Sequence, residues 1–550
     1  MPEDGPRGRD SDGTEATSAT RVGRAELPGA PLTARPRPRL ARTLRRPDRP
    51  GSAAQSDSPA QSDSPAPARR PYRAPWLIAL LVFAVYLVIS LFRYLQLNPS
   101  SWDLGIFTEL VKQYAHLHTP VADVRGAGVN LLGDHFSPII ALIAPFFLIW
   151  PSPVTLLVVQ ALLTAVSVLP VSWAAADTLG RRAGAAIGAA YGFSWGLQQM
   201  INFDFHEIAF AVPLLAFSLS ALVRGRNRAA VAWALPLVFV KEDQGFTVAA
   251  IGALMIVLSQ WRDDRDRRAI FGGELLIVWG VLWSVLAITV IIPHFNAAHH
   301  YQYWSDGGTL SPGGHFSVSG TVRQFATSWP VKLQTTLLLL LPTAFIALRS
   351  PLALVALPSI VLRFLSTSSN YWGTQWHYNA TVMPILFLAA VDAIARIRSR
   401  DVRSASSNPP EPGWRESLAA AISRHGAAAM LAIAAALAFQ FPVAGLLQPP
   451  TYALGAHVTD ANAAMARVPD GATVTTTLDL LGPLAARADT FWIGNPGNPN
   501  TAYIVFDGTD SGYSPEPANI PAFVASQHPG VMYKVIYDTG DVYVFHRRGP

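Results

Sequence analysis

The chain has no cysteine among its 550 residues, which excludes disulfides, thiolate metal sites and cysteine nucleophiles. Charge is scarce as well: Asp, Glu, Lys and Arg make up 14% of the residues, against about 25% in an ordinary soluble domain. Lysine is the scarcest charge, present only as Lys112, Lys241, Lys332 and Lys534. Any chemistry therefore rests on carboxylates, histidine, arginine, hydroxyls and these few amines. What fills the chain instead is apolar, 50% of all residues, and it is unevenly placed. Residues 1–70 and the segment from 448 onward are polar, while the middle is nearly all Leu, Ala, Val, Ile, Phe and Trp. That partition reads as a membrane-embedded centre with two soluble flanks. The net charge of +6 does not point to nucleic acid, because the basic residues sit in the N-terminal tail and in short clusters between apolar runs.

Residues 1–70 carry thirteen Arg and nine acids and repeat the hexapeptide QSDSPA at 55–60 and 61–66. Such a segment buries too little apolar surface to offset its conformational entropy, and disorder is expected for it, as a cytoplasmic tail spanning 1–74. It is also too long and polar for the apolar run behind it to be a cleavable signal peptide, so the first span is expected to be retained. A bilayer core of ~30 Å takes about 20 apolar residues per helix, and residues 75–97 meet that. Further candidates lie near 153–177, 183–201, 207–223, 229–241, 244–260, 270–293, 331–348, 351–367, 376–395 and 424–447. The run 136–150, cut by Pro138 and Pro145, is either re-entrant or a true span. The expected fold is mainly α, with about eleven transmembrane helices over 75–447 and a small α/β domain over 448–550. In that domain 473–477, 502–507 and the hairpin 531–546 read as strands, and 478–487 as a short helix.

Cytoplasmic loops are enriched in Arg and Lys. If 136–150 does not cross, Arg181-Arg182, Arg224/Arg226/Arg228, Arg262/Arg265/Arg267/Arg268 and Arg396/Arg398/Arg400 all fall on the side of the Arg-rich N-terminus. That topology puts the N-terminus in the cytoplasm and the C-terminus outside. It also gathers the unusual polar residues on the outer face: Asp103, Asp134-His135, Asp204-Phe205-His206-Glu207, Lys241-Glu242-Asp243, the loop from His294 to Trp329, and Tyr371-Trp372 through Trp376-His377-Tyr378.

Asp103 opens an apolar stretch and suits either a catalytic carboxylate or a helix N-cap. The Asp204-His206-Glu207 cluster suits a divalent cation, a phosphate or plain structural hydrogen bonding, since one His beside two acids is a weak metal signature. Lys241-Glu242-Asp243 interrupts an apolar pattern and needs a partner or a wet cavity; its lysine suits phosphate, and an internal ion pair is the alternative. His135 and His377 stand among aromatics, in keeping with a sugar-binding surface, although aromatic belts occur at any membrane interface. His294, His299, His300 and His315 lie in a Gly-rich loop that reads as a solvated lid, without a catalytic assignment. Asp134, Asp204, Glu207, Glu242 and Asp243 complete the candidate substrate-binding set.

The ordered motifs Trp102-Asp103-Leu104-Gly105-Ile106-Phe107, Leu132-Gly133-Asp134-His135-Phe136-Ser137-Pro138, Phe203-Asp204-Phe205-His206 and Lys241-Glu242-Asp243 resemble the DUF2079 family of predicted bacterial membrane proteins. So do Val468-Pro469-Asp470-Gly471-Ala472-Thr473-Val474 and Ala502 to Asp507 in the tail; the resemblance covers about residues 75–546. It departs at Thr108-Glu109, where an acid–Gln pair is expected. The layout in turn resembles the GT-C class of integral-membrane glycosyltransferases. That resemblance implies a catalytic acid in the first outer loop, here Asp103. It further implies a polyprenyl-phosphate-linked sugar as donor, an extracytoplasmic glycan, lipid or protein as acceptor, and a bacterial plasma membrane as the location; a divalent cation is the candidate cofactor. Two other functions remain open to the same residues: a transporter with Lys241, Glu242 and Asp243 as an intramembrane coupling site, and a non-catalytic lipid- or glycan-binding scaffold.

The absence of native cysteine makes the topology directly measurable. A single cysteine at position 265 is expected to resist an impermeant maleimide added to intact cells, and one in the 448–550 segment to react; labelling of position 265 from outside would reverse the orientation.

Overall fold

A computed structural model of the chain describes residues 72–549 apart from 261–265, 306–317, 405–412 and 510–516. The N-terminal tail with its repeats, Arg262, Arg265, His315 and the glycine pairs at 307–308 and 313–314 lie outside the described residues. Among the described residues five helices are long and apolar enough to cross a membrane: Ala74–Leu95, Pro153–Leu179, Arg267–Phe295, His377–Arg400 and Trp414–Ala438. Shorter apolar helices run Pro138–Ile149, Ile208–Val223, Gln244–Gln260 and Pro351–Leu365. Two of the expected spans, and the run 136–150, are interrupted at proline, which lacks the amide for the helical ladder and crowds the carbonyl four residues back. The run 229–241 is helical only to Ala234 and tightens into a 3-10 turn, Leu235–Phe239, around Pro236. The run 331–348 leaves the α-helix after Leu340, at Pro342, and Ala344 and Phe345 then reverse the chain at φ of 50° and 59°. Pro138 and Pro145 likewise divide 136–150 into a 3-10 segment, Pro138–Ile143, and one short helix, Ala144–Ile149.

The core runs continuously from the first span through the helices at 153–179, 181–192, 208–223 and 382–397, with Val82, Tyr86, Leu156, Tyr191, Trp195 and Phe387 fully buried. Two of its polar groups tie helices together: Tyr86 Oη donates to the Gly192 carbonyl at 2.6 Å and Ser220 Oγ to the Pro170 carbonyl at 2.8 Å. Satisfying these carbonyls inside the protein matters because lipid offers them no partner.

After the last long helix the chain forms a five-stranded sheet in the order β2-β1-β3-β5-β4. Its strands are β1 Thr473–Thr476, β2 Asp489–Trp492, β3 Tyr503–Asp507, β4 Tyr533–Thr539 and β5 Val542–Arg547. β1 pairs in parallel with β2 and β3, whereas β5 runs antiparallel to β3 and β4. The expected strands, short helix and terminal hairpin are all present; β2 and the helix Ala456–Met465 were not foreseen. The sheet is seated on the helix Asp103–Ala115. A Cβ on Gly105 would stand 2.9 Å from Leu481 Cβ, so that only glycine lets the two backbones meet here, and Lys112 Nζ donates to the Ala488 carbonyl at 2.7 Å.

The helices Gln244–Gln260 and Arg267–Leu286 pack antiparallel through glycines, Gly245 against Gly280 and Gly252 against Gly273. A Cβ on Gly273 would lie 2.6 Å from the Gly252 carbonyl oxygen, and at the Gly245–Gly280 crossing the space is tighter still. Small residues let membrane helices approach this closely, and this contact fixes the entrance of the helix that follows Lys241-Glu242-Asp243. Gly280→Leu is therefore expected to lower the yield of folded protein and its Tm in detergent, while Gly455→Ala, with nothing within 4 Å of the added carbon, leaves both unchanged; equal behaviour of the two variants would refute the packing argument.

Candidate active site

The helix Asp103–Ala115 begins with the candidate carboxylate, but its N-cap position is Trp102 and no side chain caps it. Asp103 is thus not the capping residue, and its half-buried side chain faces a cavity of about 270 Å³. Asp134, His135, His206, Glu207, Lys241 and His377 line the same cavity. Seven of the ten candidate residues, spread over 103–377 in sequence, are therefore brought to one site. Asp204, Glu242 and Asp243 stand outside its lining.

The turn Asp204–Glu207 is held from behind. Gln160, fully buried within the helix Pro153–Leu179, accepts from the His206 amide at 3.0 Å and donates to the carbonyls of Asp204 and Met200. Asp204 adopts a φ of 77°, a left-handed conformation that Asp and Asn tolerate better than other side chains. Its carboxylate accepts from the Ser100 amide at 2.7 Å, which ties this turn to the loop just ahead of Asp103. Burial pushes the Asp204 carboxyl up to about 6, against the opposing pull of Arg93. The three acidic and imidazole groups of the turn do not converge on one point: Asp204 faces Ser100, whereas Glu207 faces inward.

Glu207 is 1% exposed and shared by two partners. Lys241 Nζ donates to its Oε1 at 3.1 Å, and His206 Nδ1 lies 2.8 Å from its Oε2. The His206 ring stacks on His377 with centroids 3.5 Å apart, and Phe203 closes on His377 at 4.5 Å. Neither ring nitrogen of His377, itself 1% exposed, has a hydrogen-bond partner among the described residues.

A second network forms the opposite wall. His135 Nδ1 donates to Glu242 Oε1 at 2.8 Å, the Phe136 amide to Oε2 at 3.1 Å, and Tyr301 Oη to Oε1 at 2.8 Å. Burial alone would raise Glu242, but His135 and Lys241 bring it down to about 2. Tyr303 donates to Asp134 Oδ1 at 3.0 Å and stacks on His135, and Arg125 Nε meets Asp134 Oδ2 at 3.3 Å. The whole wall is anchored where a Cβ on Gly133 would strike the backbone of Phe295 and Asn296. Tyr371 and Tyr378 also line the cavity, together with Arg125, Tyr303 and Asn370, which were not singled out from the sequence. Arg363 holds the two tyrosines in place by donating to the carbonyls of Tyr371 and Tyr378 and to Asn379 Oδ1. The only sequence signal for Arg125 is a lone Arg in a loop otherwise poor in basic residues; Gln160 and Arg363 leave none.

Removing one partner of a buried ion pair costs about 3–5 kcal/mol, because the other charge is left stranded. Lys241→Met is accordingly expected to lower protein level and Tm, and Lys241→Met combined with Glu207→Gln to recover much of both. A double variant as unstable as the single one would show that Lys241 is not held in place mainly by Glu207.

A comparison with curated protein sequences returns no match. Among solved structures the chain is similar to ArnT from Cupriavidus metallidurans in the apo state, at 15% identity and a TM-score of 0.51, over 86% of this chain and 98% of that one. The same protein bound to undecaprenyl phosphate aligns at 14% identity and a TM-score of 0.48, over 86% and 97%. The oligosaccharyltransferase of Archaeoglobus fulgidus in the apo form aligns at 12% and 0.36, over 76% and 64%. At such identities the likeness to apo ArnT is one of fold, and the fold is GT-C-like: a mainly helical membrane protein with a small C-terminal sheet. The model of the predicted membrane proteins DUF2079 matches residues 93–505, well over half of the sequence, and this chain belongs to that family.

Proposed function

We propose that the protein transfers a sugar from a polyprenyl-phosphate donor to a hydroxyl acceptor at the outer face of a bacterial plasma membrane. The observation that supports this reading is the cavity in which Asp103, a carboxylate with no ion pair among the described residues, shares the lining with two cations, Lys241 and Arg125. In the proposed reaction the acceptor oxygen attacks the anomeric carbon, its proton passes to Asp103, and the bond to the phosphate oxygen breaks with both electrons leaving on the phosphate. Lys241 and Arg125 offset the charge of the departing phosphate, and the unpartnered nitrogens of His377, together with Tyr371 and Tyr378, offer contacts to the sugar. Polyprenyl phosphate as the donor carrier comes from ArnT, whose structure binds undecaprenyl phosphate; here it is a proposal, as is an acceptor among extracytoplasmic glycans, lipids or proteins. The same reading takes 1–74 as a cytoplasmic tail, 75–447 as the membrane domain and 448–550 as an extracytoplasmic domain.

General-base assistance contributes about 10²–10⁴ in rate. Asp103→Asn is expected to lose at least about 100-fold in lipid-linked-sugar turnover while keeping its membrane level and Tm, because the amide preserves size but accepts no proton. Turnover equal to wild type in this variant would end the case for Asp103 as the base. The pH dependence follows from the same site. Burial raises the Asp103 carboxyl, with His206 and Ser101 opposing, and only the ionised form accepts a proton. Activity in the wild type should therefore rise with pH along a limb centred above the ordinary Asp value of about 3.9, and that limb should disappear from whatever turnover Asp103→Asn retains.

A further inference from the structure

The sheet carries a cluster of polar side chains that the proposed reaction does not use. β1 and β3 are parallel neighbours, so their carboxyl ends lie side by side. Asp507 closes β3, Asp479 sits in the 3-10 turn Leu478–Leu480 just beyond β1, and His457 comes from the first turn of the helix Ala456–Met465. One ligating atom from each of the three lies within 4.8 Å of the other two. A cation bound at about 2.0–2.4 Å from each ligand spans that spacing.

Two observations set this cluster apart from a solvated acidic patch. Asp507 is fully buried and Asp479 is 3% exposed, and two carboxylates this close in a dry interior repel unless a positive charge joins them. Among the described residues the only charged partner of Asp507 is the half-buried His457. The second observation is directional. His457 Nε2 stands 2.7 Å from Asp507 Oδ2, yet that oxygen has no hydrogen-bond partner among the described residues. The two atoms are close without the alignment of a hydrogen bond, while Nε2 stands 3.0 Å from Thr509 Oγ1. The other carboxylate oxygens are held by hydroxyls: Thr477 Oγ1 donates to Asp479 Oδ1 at 2.8 Å and Thr509 Oγ1 to Asp507 Oδ1 at 2.7 Å. Oriented ligands of this kind surround metal sites.

The geometry points to a divalent-cation site formed by His457, Asp479 and Asp507. One imidazole and two carboxylates suit Zn²⁺ or Mn²⁺ better than Mg²⁺ or Ca²⁺, which favour all-oxygen sets, and a double positive charge neutralises the two acids. None of the three residues lines the cavity of Asp103, so the ion is structural. Asp479 leads directly into the helix Leu481–Ala485, whose Leu481 meets Gly105. The ion would thereby join the strand ends to the helix on which the first-loop helix rests. The inference does not depend on the sugar-transfer reading.

The test uses the full chain in detergent, stripped with chelator and titrated separately with ZnCl₂ and MnCl₂ by calorimetry, with thermal unfolding read at each loading. One equivalent of at least one ion is expected to bind with a Kd below about 100 µM, about −5.5 kcal/mol or tighter, and to raise the Tm. Asp507→Asn and His457→Gln should each weaken binding by roughly 10–100-fold or more, while Asp103→Asn keeps it. His457 lies at the surface edge of the cluster, so its variant remains informative if Asp507→Asn fails to fold. Stripped wild type that binds neither ion would mean a purely hydrogen-bonded cluster, with His457 Nε2 paired to Thr509 Oγ1 at its present 3.0 Å, and would overturn the proposal. So would binding abolished by Asp103→Asn but retained by His457→Gln, which would assign the ion to the cavity.

Discussion

The buried carboxylate of Glu207 is the group on which the candidate site depends. It stands between Lys241 and His206, and an ionised acid at this depth is tolerable only with both. Lys241 in turn enters the protein ahead of the helix Gln244–Gln260, whose position is set by glycine contacts with Arg267–Leu286. His206 enters from a turn fastened to Gln160. A single carboxylate thus couples two separately anchored segments, its own Asp204–Glu207 turn and the approach to the helix Gln244–Gln260.

The second wall repeats this logic with different partners. Glu242 is the acceptor for His135, Tyr301 and the Phe136 amide, and Ser284 Oγ ties the Glu242 carbonyl to the neighbouring helix at 2.5 Å. Glu207 and Glu242 therefore act as internal braces, one on each side of the cavity, while Asp103 is left with its carboxylate toward the open space. That division of labour among acids is what makes Asp103 the candidate base: the others are committed to cations or donors. The C-terminal sheet contributes from outside, since Trp492 packs edge-on against Trp102 at 4.8 Å and Arg125 lies 5.0 Å over the Trp102 ring. The residue preceding Asp103 is clamped between the membrane part and the sheet.

Much of this was legible in the sequence because it is local. The apolar runs, the Thr-rich strand β1 and the hairpin of β4 and β5 all follow from composition and spacing over ten to twenty residues. The charge pattern of the loops is enough to expect Asp103, Asp134, His135, His206, Lys241 and His377 on one side, and these residues share one cavity. The roles within the cluster were less legible. Lys241-Glu242-Asp243 reads as one charged unit, yet its members diverge, with Lys241 turned to Glu207, Glu242 to His135 and Asp243 beside Gln244. Three consecutive residues leaving a 3-10 turn point in different directions, and the direction of each depends on a partner more than thirty positions away in two of the three cases.

By itself the sequence determined a membrane protein of mainly helical fold, the order of its motifs and the α/β character of its C-terminal part, since hydropathy, proline positions and strand alternation act over short distances. Only the tertiary structure decided that Gln160 holds the Asp204–Glu207 turn, that Arg125 and Tyr303 join the cavity, and that His457, Asp479 and Asp507 meet at the strand ends. These meetings join residues from about 20 to 170 positions apart through single contacts, such as Gln160 with His206 and Tyr303 with Asp134. A contact of that kind imposes no periodicity on the chain between its ends, so nothing along the sequence records it until the packing of the helices brings the partners together.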